Sequence, residues 1–351
     1  MIFRPFFDPG SSTWTYLLAD EATGEAVLID TVFEQHGRDS ALIRELGVNL
    51  RFTLDTHCHA DHVTGAWLHQ QTSRSKIGLA AVYGAEHVDL PLRDRDEVRF
   101  GQHVLQVRAT PGHTAGCLTY VLDGGVMAFT GDALLIRGAG RTDFQGGDAA
   151  ELYRSIHEQI FSLPDDCRIC PGHDYNGRTW STVAEEKAHN PRVGGDARKR
   201  DFVGYMTQMK LPHPRRIDIA LPANMVSGRP ESGELPGAVT WGPVEVSYAG
   251  VQEVSAEWAA ANREQLHLVD VRETAELNGR PPMVAGSINV PLPVLRDRLD
   301  DIPSDKPVVL LCPAGRRSAL AAQILRKAGR DRIANVRGGL FEWIRQGLPL
   351  R

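Results

Sequence analysis

The chain has 351 residues, 42% of them hydrophobic and 24% charged, with a formal net charge of −5. This is an ordinary globular composition, long enough for two or three cores, and it gives no electrostatic reason to expect nucleic acid or an anionic membrane as partner. No apolar run approaches the ~20 residues of a membrane span. The five cysteines are odd in number in a long chain, and Arg4, Pro5 and Asp8 interrupt the start, so neither a disulfide scaffold nor a signal peptide is expected and the compartment reads as cytoplasmic.

In chain order, Trp14 to Leu18 and Ala26 to Ile29 read as strands joined by a turn at Thr23-Gly24. Asp39 to Leu46 reads as an amphipathic helix with Ala41, Leu42, Ile43 and Leu46 apolar. A short strand, Phe52 to Leu54, leads into Thr56-His57-Cys58-His59-Ala60-Asp61-His62, with a helix expected to start near His62. Three imidazoles and a carboxylate in one loop at a strand's carboxyl end are ligand chemistry for zinc, iron or manganese. A helix cap would use only one of them.

Val104 to Val107, Leu118 to Leu122 and Val126 to Thr130 read as strands, the last two joined by Asp123-Gly124-Gly125. Ala149 to Leu163 has helical spacing through Leu152, Ile156 and Ile160 and stops at Pro164. Three more loops place a His or Asp beside a glycine at a strand end. They are Pro111-Gly112-His113-Thr114, Thr130-Gly131-Asp132 and Pro171-Gly172-His173-Asp174-Tyr175. Together with the first cluster they argue for one site. Arg198-Lys199-Arg200, flanked by Asp196 and Asp201, reads as a solvated helix face.

Pro212 to Gly250 is rich in Pro and Gly and reads as an inter-domain linker, wrapped over the first domain rather than hanging free, with Ser227 to Gly233 its most flexible part. A βα pattern follows, with strands at Leu266 to Val271, Val308 to Cys312 and Ile333 to Val336 and a helix at Ser318 to Ala328. Cys312 sits where a buried strand and tight loop meet a helix N-terminus. Backbone N–H groups, the helix dipole and Arg316 and Arg317 favour a thiolate or persulfide there. Cys167 and Cys170, like Cys58 and Cys117, read as buried packing.

The order T-H-x-H-x-D-H, P-G-H-T, T-G-D and P-G-H resembles the metallo-β-lactamase superfamily over about residues 1–240. The resemblance implies an αββα sandwich with metal at one edge. Within that superfamily, Thr130 to Ile136, Gly140 to Gln145, His173 to Arg178, Glu185 to Lys187, Asn190 to Arg192, Ile217-Asp218 and Pro222 to Asn224 resemble the ETHE-type persulfide dioxygenases. Ala139 stands where that family usually carries cysteine. The resemblance implies one ferrous iron, Fe(2+), on His57, His113 and Asp132, a triad that leaves positions open. His59, Asp61, His62 and His173 would surround it. It implies glutathione persulfide as substrate, bound through Arg141, Tyr175 and Arg178 and oxidised by O2 to sulfite and glutathione. The same seven residues also suit two zinc ions, as in glyoxalase-type glutathione thioester hydrolases, which is the alternative reading.

The pattern C-x-x-G-x-R-S at Cys312 to Ser318 resembles the rhodanese sulfurtransferases over about residues 250–351. Asp270-Val271-Arg272 with Glu276, Gly286 to Asn289 before Pro291, and Gly338-Gly339 near Trp343 fit the same family. The implication is an α/β domain with a central parallel sheet, in which Cys312 accepts sulfane sulfur from a loop containing Gly315 and Arg317. Sulfur would pass between thiosulfate and glutathione, with the direction and any homo-oligomer left open. Pro313 stands where Arg is frequent and has no N–H to offer an anion. Met283-Val284-Ala285 replaces the usual Gly-His. The expected whole is an α/β chain with a first domain at 1–240, including the linker from about 212, and a second at 250–351.

Overall fold

A computed structural model describes residues 1–209, 211–212, 214–235 and 240–350. Its contacts define two compact units, Met1–His36 with Leu46–Glu234, and Gly37–Glu45 with Leu235–Arg351. Among the described residues the first unit holds two six-stranded sheets.

The first sheet runs in chain order: β1 (Ile2–Asp8), β2 (Thr13–Ala19), β3 (Glu25–Ile29), β4 (Asn49–Leu54), β5 (Lys76–Ala80) and β6 (Leu90–Leu92). β1 to β3 pair antiparallel and β3 to β6 parallel. The second sheet contains β7 (Glu97–Phe100), β8 (His103–Ala109), β9 (Leu118–Leu122), β10 (Met127–Gly131), β11 (Arg168–Pro171) and β12 (Ser181–Thr182), also in sequential order. Only β10 and β11 pair parallel within it.

The period-2 alternation of a strand explains the layering. Tyr120, Leu122 and Phe129 pack inward with Leu18, Val27, Ile29 and Leu54 of the first sheet. Val121 and Ala128, one residue along, face outward to helices. The helices are α2 (Ala66–Ser73), α3 (Ala149–Ser155), α4 (Val183–His189), α5 (Lys199–Gln208) and α6 (Ile217–Asn224), while α1 (His36–Leu46) counts almost entirely with the second unit. α2 lays Trp67 and Leu68 on Ile77 of the first sheet. α3, α4 and α5 lay Leu152, Val183, Phe202 and Met206 on the second. The result is the expected helix–sheet–sheet–helix sandwich. The turn after α3 is wider than an α-turn, since Phe161 N–H reaches back five residues to the Ile156 carbonyl.

Two expectations need correction. The helix predicted near His62 begins at Ala66. Asn224 explains the delay, because its Nδ2 donates to the carbonyls of His59 and His62 and its Oδ1 accepts from Thr64 N–H. Those groups are therefore unavailable to a helical ladder. The second correction is to the flexibility expected in the linker, whose stretch as far as Glu234 counts with the first unit. α6 lies within it, and Ser227, assigned to its most flexible part, is 2% exposed. The Ser227 carbonyl accepts from Trp67 N–H and its hydroxyl donates to the Glu86 carbonyl. Gly228 has φ +76°, and a Cβ there would strike the Thr64 carbonyl, so this glycine marks close packing rather than flexibility. His213 and residues 236–239 of the predicted linker, with Lys210 and Arg351, lie outside the described residues.

The second unit has a six-stranded sheet among the described residues. Its strands are β13 (Glu245–Val246), β14 (Gln252–Val254), β15 (His267–Asp270), β16 (Ile288–Asn289), β17 (Val308–Leu311) and β18 (Ile333–Val336), in spatial order β13-β14-β18-β17-β15-β16. All pairs are parallel except β13 with β14. α7 (Ala256–Ala261), α8 (Arg316–Lys327) and α9 (Gly339–Arg345) cover it. β17 is buried on both faces, hence its unbroken Val-Val-Leu-Leu run. Leu310 packs with Ala321, Ala322 and Leu325 of α8, whereas Val309 and Leu311 pack with Ala259, Leu340 and Trp343 of α7 and α9. This is the central parallel sheet expected for the C-terminal domain.

Gly112 gives a direct test of the close packing around the first unit's loops. Its φ is +133°, and a Cβ would run into the backbone of Leu152. Gly112→Ala is expected to cost at least ~2 kcal/mol through strain and overpacking. An unchanged urea midpoint for the variant would contradict that packing.

Candidate functional site

The loops at one edge of the sandwich converge. His57 follows β4, His113 follows β8, Asp132 follows β10 and His173 follows β11. Ligand atoms of His57, His113 and Asp132 lie within 4.8 Å of one another, and so do those of His59, Asp61 and His173. Six of the seven sequence-predicted metal-site residues thus fall in two adjoining groups. The seventh, His62, packs against His59 with ring centroids 4.3 Å apart and the rings tilted by 37°.

Each imidazole is held by its far side. His113 Nδ1–H donates to the Arg141 carbonyl at 2.6 Å, so Nε2 keeps its lone pair and lies 3.6 Å from Asp132 Oδ2. His173 Nδ1–H donates to the Ser12 carbonyl at 3.2 Å, with Nε2 3.6 Å from Asp61 and 3.8 Å from Asp132. For His57 the fixing group is Thr56. The Thr56 hydroxyl donates to Asp30 Oδ2 at 2.9 Å, so its oxygen receives Nδ1–H of His57 at 3.0 Å. Asp30 Oδ1 also accepts from Thr56 N–H at 2.7 Å and from His59 Nε2 at 3.1 Å. Gly131 has φ +49°, and a Cβ there would collide with the Thr56 hydroxyl, so glycine is what lets β10 approach this loop.

The electrostatics match a cation site. Burial, then the neighbouring imidazoles, push His57 and His59 well below the usual histidine range, so both are neutral and able to ligate. Burial opposes charge on Asp61, yet His173 and His62 hold it well below the usual carboxylate range. Burial also works against His173, but Asp132 and Asp61 lift it to about 9. Asp132 Oδ1, His59 Nδ1 and His62 Nε2 are buried with no hydrogen-bond partner. Each such atom costs ~1–3 kcal/mol if left alone, and a metal ion is the partner that oxygen and imidazole lone pairs share. The residues present therefore fit a metal.

A cavity of about 750 Å³ opens beside this cluster. Arg141, Tyr175 and Arg178 all line it. Tyr175 is 74% exposed and stacks on His173 at 6.2 Å. Arg178 is anchored to Asp174 through Nε at 3.0 Å and Nη2 at 2.9 Å. Arg141 is more committed than expected, holding both Asp143 oxygens and the carbonyls of Leu211 and Pro212. It braces the cavity wall with four of its five N–H donors, which leaves one Nη1–H for a ligand.

In the second unit, Cys312 directly follows β17 and is 1% exposed. Its Sγ lies 3.4 Å from Ser318 N at the start of α8. Gly315 takes φ +82° at the head of that helix. Arg317 faces Glu276 rather than standing free, with contacts of 2.6 and 2.9 Å, and its hydrogen bonds pull Glu276 down to about 2. The five cysteines are free and buried, with no disulfide.

Sequence reasoning missed Asp30, Asp55 and the clamping role of Asn224. The signal for Asp30 was an acid closing the apolar run Val27-Leu28-Ile29, where a charge needs a reason. Asp55 is fully buried and pushed up to about 8, first by burial and then by Asp30.

A fold and donor set of this kind define a class. The family model for the metallo-β-lactamase superfamily matches residues 8–173, and that for the rhodanese-like domain matches residues 255–346. The chain is 50% identical over 228 residues to the human (Homo sapiens) mitochondrial persulfide dioxygenase ETHE1, covering 65% of this chain and 89% of that protein. The crystal structure of ETHE1 from Myxococcus xanthus superposes with a TM-score of 0.63 at 49% identity, over 65% of this chain and all of that one. A metallo-β-lactamase from Staphylococcus aureus shares the fold over 96% of this chain and 98% of its own, with a TM-score of 0.60 at 22% identity. The chain belongs to the ETHE1 persulfide dioxygenase family of the metallo-β-lactamase superfamily, with a rhodanese-like domain following. It is an enzyme of sulfur metabolism with a non-haem metal site. Among the described residues, no helix is long and apolar enough to cross a membrane.

Asp30 is the point at which the metal loop can be loosened without touching a ligand. Asp30→Ala strips acceptors from Thr56 and His59. It is expected to weaken metal retention ~10–100-fold, measured by chelator competition. Retention equal to wild type would refute the role given to Asp30.

Proposed function

We propose that the first domain, about residues 1–240, binds one ferrous iron through His57, His113 and Asp132 and oxidises glutathione persulfide with O2 to sulfite and glutathione. The observation that carries this reading is the convergence of two back-braced imidazoles and a carboxylate with an unpartnered oxygen, in a chain 50% identical to a persulfide dioxygenase. Three protein donors leave coordination positions free, and iron supplies the one-electron chemistry that activates O2, which zinc lacks. The chain's own residues do the rest. The Arg141 carbonyl and the Thr56 hydroxyl fix which nitrogen of His113 and His57 faces the site. His59, Asp61, His62 and His173 surround it with donors and acceptors for bound water or oxygen.

Glutathione carries two carboxylates, and the cavity wall offers the Tyr175 phenol and the Arg178 guanidinium, with Arg141 held by Asp143 beside them. Ala139, buried at 2% exposure, adds no thiol to this wall. The second domain, about residues 250–351, is assigned sulfur transfer between thiosulfate and glutathione through a Cys312 persulfide. Gly315 shapes its loop and Arg317 supplies positive charge. The two halves are chemically coherent, because the product of one transfer direction is the substrate of the other domain. A second reading, hydrolysis of a glutathione thioester by two zinc ions, is favoured by one observation, the adjoining His59, Asp61 and His173 group.

Two measurements separate these readings. Glutathione persulfide added to the iron-loaded enzyme should drive O2 uptake and sulfite release, and Asp132→Ala should reduce both to background. Sulfite formation without O2 uptake, or thioester hydrolysis alone, would overturn the dioxygenase reading. Cys312→Ser should keep activity on added persulfide but lose sulfite formation from thiosulfate plus glutathione. Unchanged sulfite from that mixture would reject the coupled route.

A further inference from the structure

Beneath the Cys312 loop runs a chain of polar groups that sulfur transfer does not by itself require. Cys312 Sγ lies 3.2 Å from Ser318 Oγ. The same hydroxyl lies 2.6 Å from Asn335 Oδ1, and Asn335 Nδ2 lies 2.9 Å from Glu253 Oε1. Arg337 Nε meets the other Glu253 oxygen at 3.4 Å. Cys312, Ser318 and Asn335 are buried at 1%, 0% and 2% exposure, so water does not compete for these contacts.

Donor accounting gives the chain a direction. The Glu253 carboxylate only accepts, so it takes the amide NH2 of Asn335 and turns the amide oxygen to Ser318. That oxygen also only accepts, so it draws the single hydroxyl proton of Ser318 across the shorter of that hydroxyl's two contacts. The hydroxyl then presents a lone pair to Cys312. With that proton committed to Asn335, the donation from the Ser318 hydroxyl to Sγ is lost and the sulfur keeps only the Ser318 N–H at 3.4 Å, an arrangement that opposes a thiolate. When the S–H proton leaves to solvent, the hydroxyl can steady the sulfur only by turning its proton from Asn335 to Sγ. Asn335 Oδ1 is then buried without a donor, which is costly. The other charged groups near Cys312 are Arg317, paired with Glu276, and Asp270, paired with Arg272. None of them touches the Ser318 hydroxyl.

We propose that Asn335, aimed by Glu253, is a positioning residue that governs the reactivity of Cys312 by holding the proton of the Ser318 hydroxyl. The inference rests on Cys312 being the sulfur acceptor. Asn335→Leu removes the competing acceptor and frees the hydroxyl to donate to sulfur.

The test is alkylation of Cys312 by iodoacetamide in the full-length chain, read by peptide mass at about pH 6 and about pH 10. Asn335→Leu is expected to react about tenfold faster than wild type at the lower pH and equally fast at the higher. In a Ser318→Ala background the same substitution should change nothing. Acceleration at both pH values, acceleration that persists without Ser318, or no acceleration would overturn the proposal. Should Asn335→Leu fail to fold, Glu253→Gln decides. It frees the Asn335 amide to flip, and it should accelerate alkylation at the lower pH in the same direction, to a smaller extent. No acceleration there would sink the idea. Sulfur transfer to cyanide by wild type is read separately. Its absence would strike the assignment of Cys312 and not the hydroxyl relay.

Discussion

A buried carboxylate, Asp30, fixes how the metal loop faces its site. It closes β3, sits at 1% exposure, and spends its two oxygens on the backbone and hydroxyl of Thr56 and on His59. Burial pushes its proton affinity up, and His57 and the two Thr56 bonds push it back down. The arrangement makes the tautomer of His57 a consequence of the strand beside it. The same logic recurs at His113 and His173, each pinned through Nδ1 by a backbone carbonyl. Three imidazoles therefore reach the site already oriented by groups outside the His57, His113 and Asp132 donor set. Such pre-alignment lowers the ordering cost of holding a metal there.

The second unit uses a different device around a different element. Asp270 and Arg272, both essentially fully buried, form a multiply bonded pair, and Arg272 also donates to the Pro281 carbonyl. Removing either partner would strand a buried charge. Glu276, on the segment after that pair, engages Arg317. The consequence is that positive charge near Cys312 is already partly neutralised in the resting chain. An anion held in this loop would therefore meet backbone N–H groups and the start of α8 as much as guanidinium, and Pro313 offers no such N–H.

Much of this was legible in the sequence, for identifiable reasons. Ligand-type residues sat beside glycines at strand ends, and the folded chain brings all four loops to one edge. The strand–loop–helix around Cys312 was equally readable, because β17 is an unbroken apolar run and a helical stretch follows the glycine, though α8 begins at Arg316, two residues before the expected Ser318. What escaped was tertiary. The Pro- and Gly-rich stretch from Pro212 reads as a linker only while one cannot see Asn224 clamping the loop carbonyls of His59 and His62, or Ser227 bonded to Trp67 and Glu86. The helix after His62 was displaced by the same asparagine. Arg141 looked free because a sequence cannot show that Asp143, two residues on, curls back onto it.

The central claim is that three protein donors hold a single redox-active ion, while the adjoining His59, Asp61 and His173 serve without a second metal. The most direct test is elemental analysis of protein purified from cells grown with both iron and zinc available. The account predicts one iron per chain and negligible zinc. Two zinc ions per chain would contradict it.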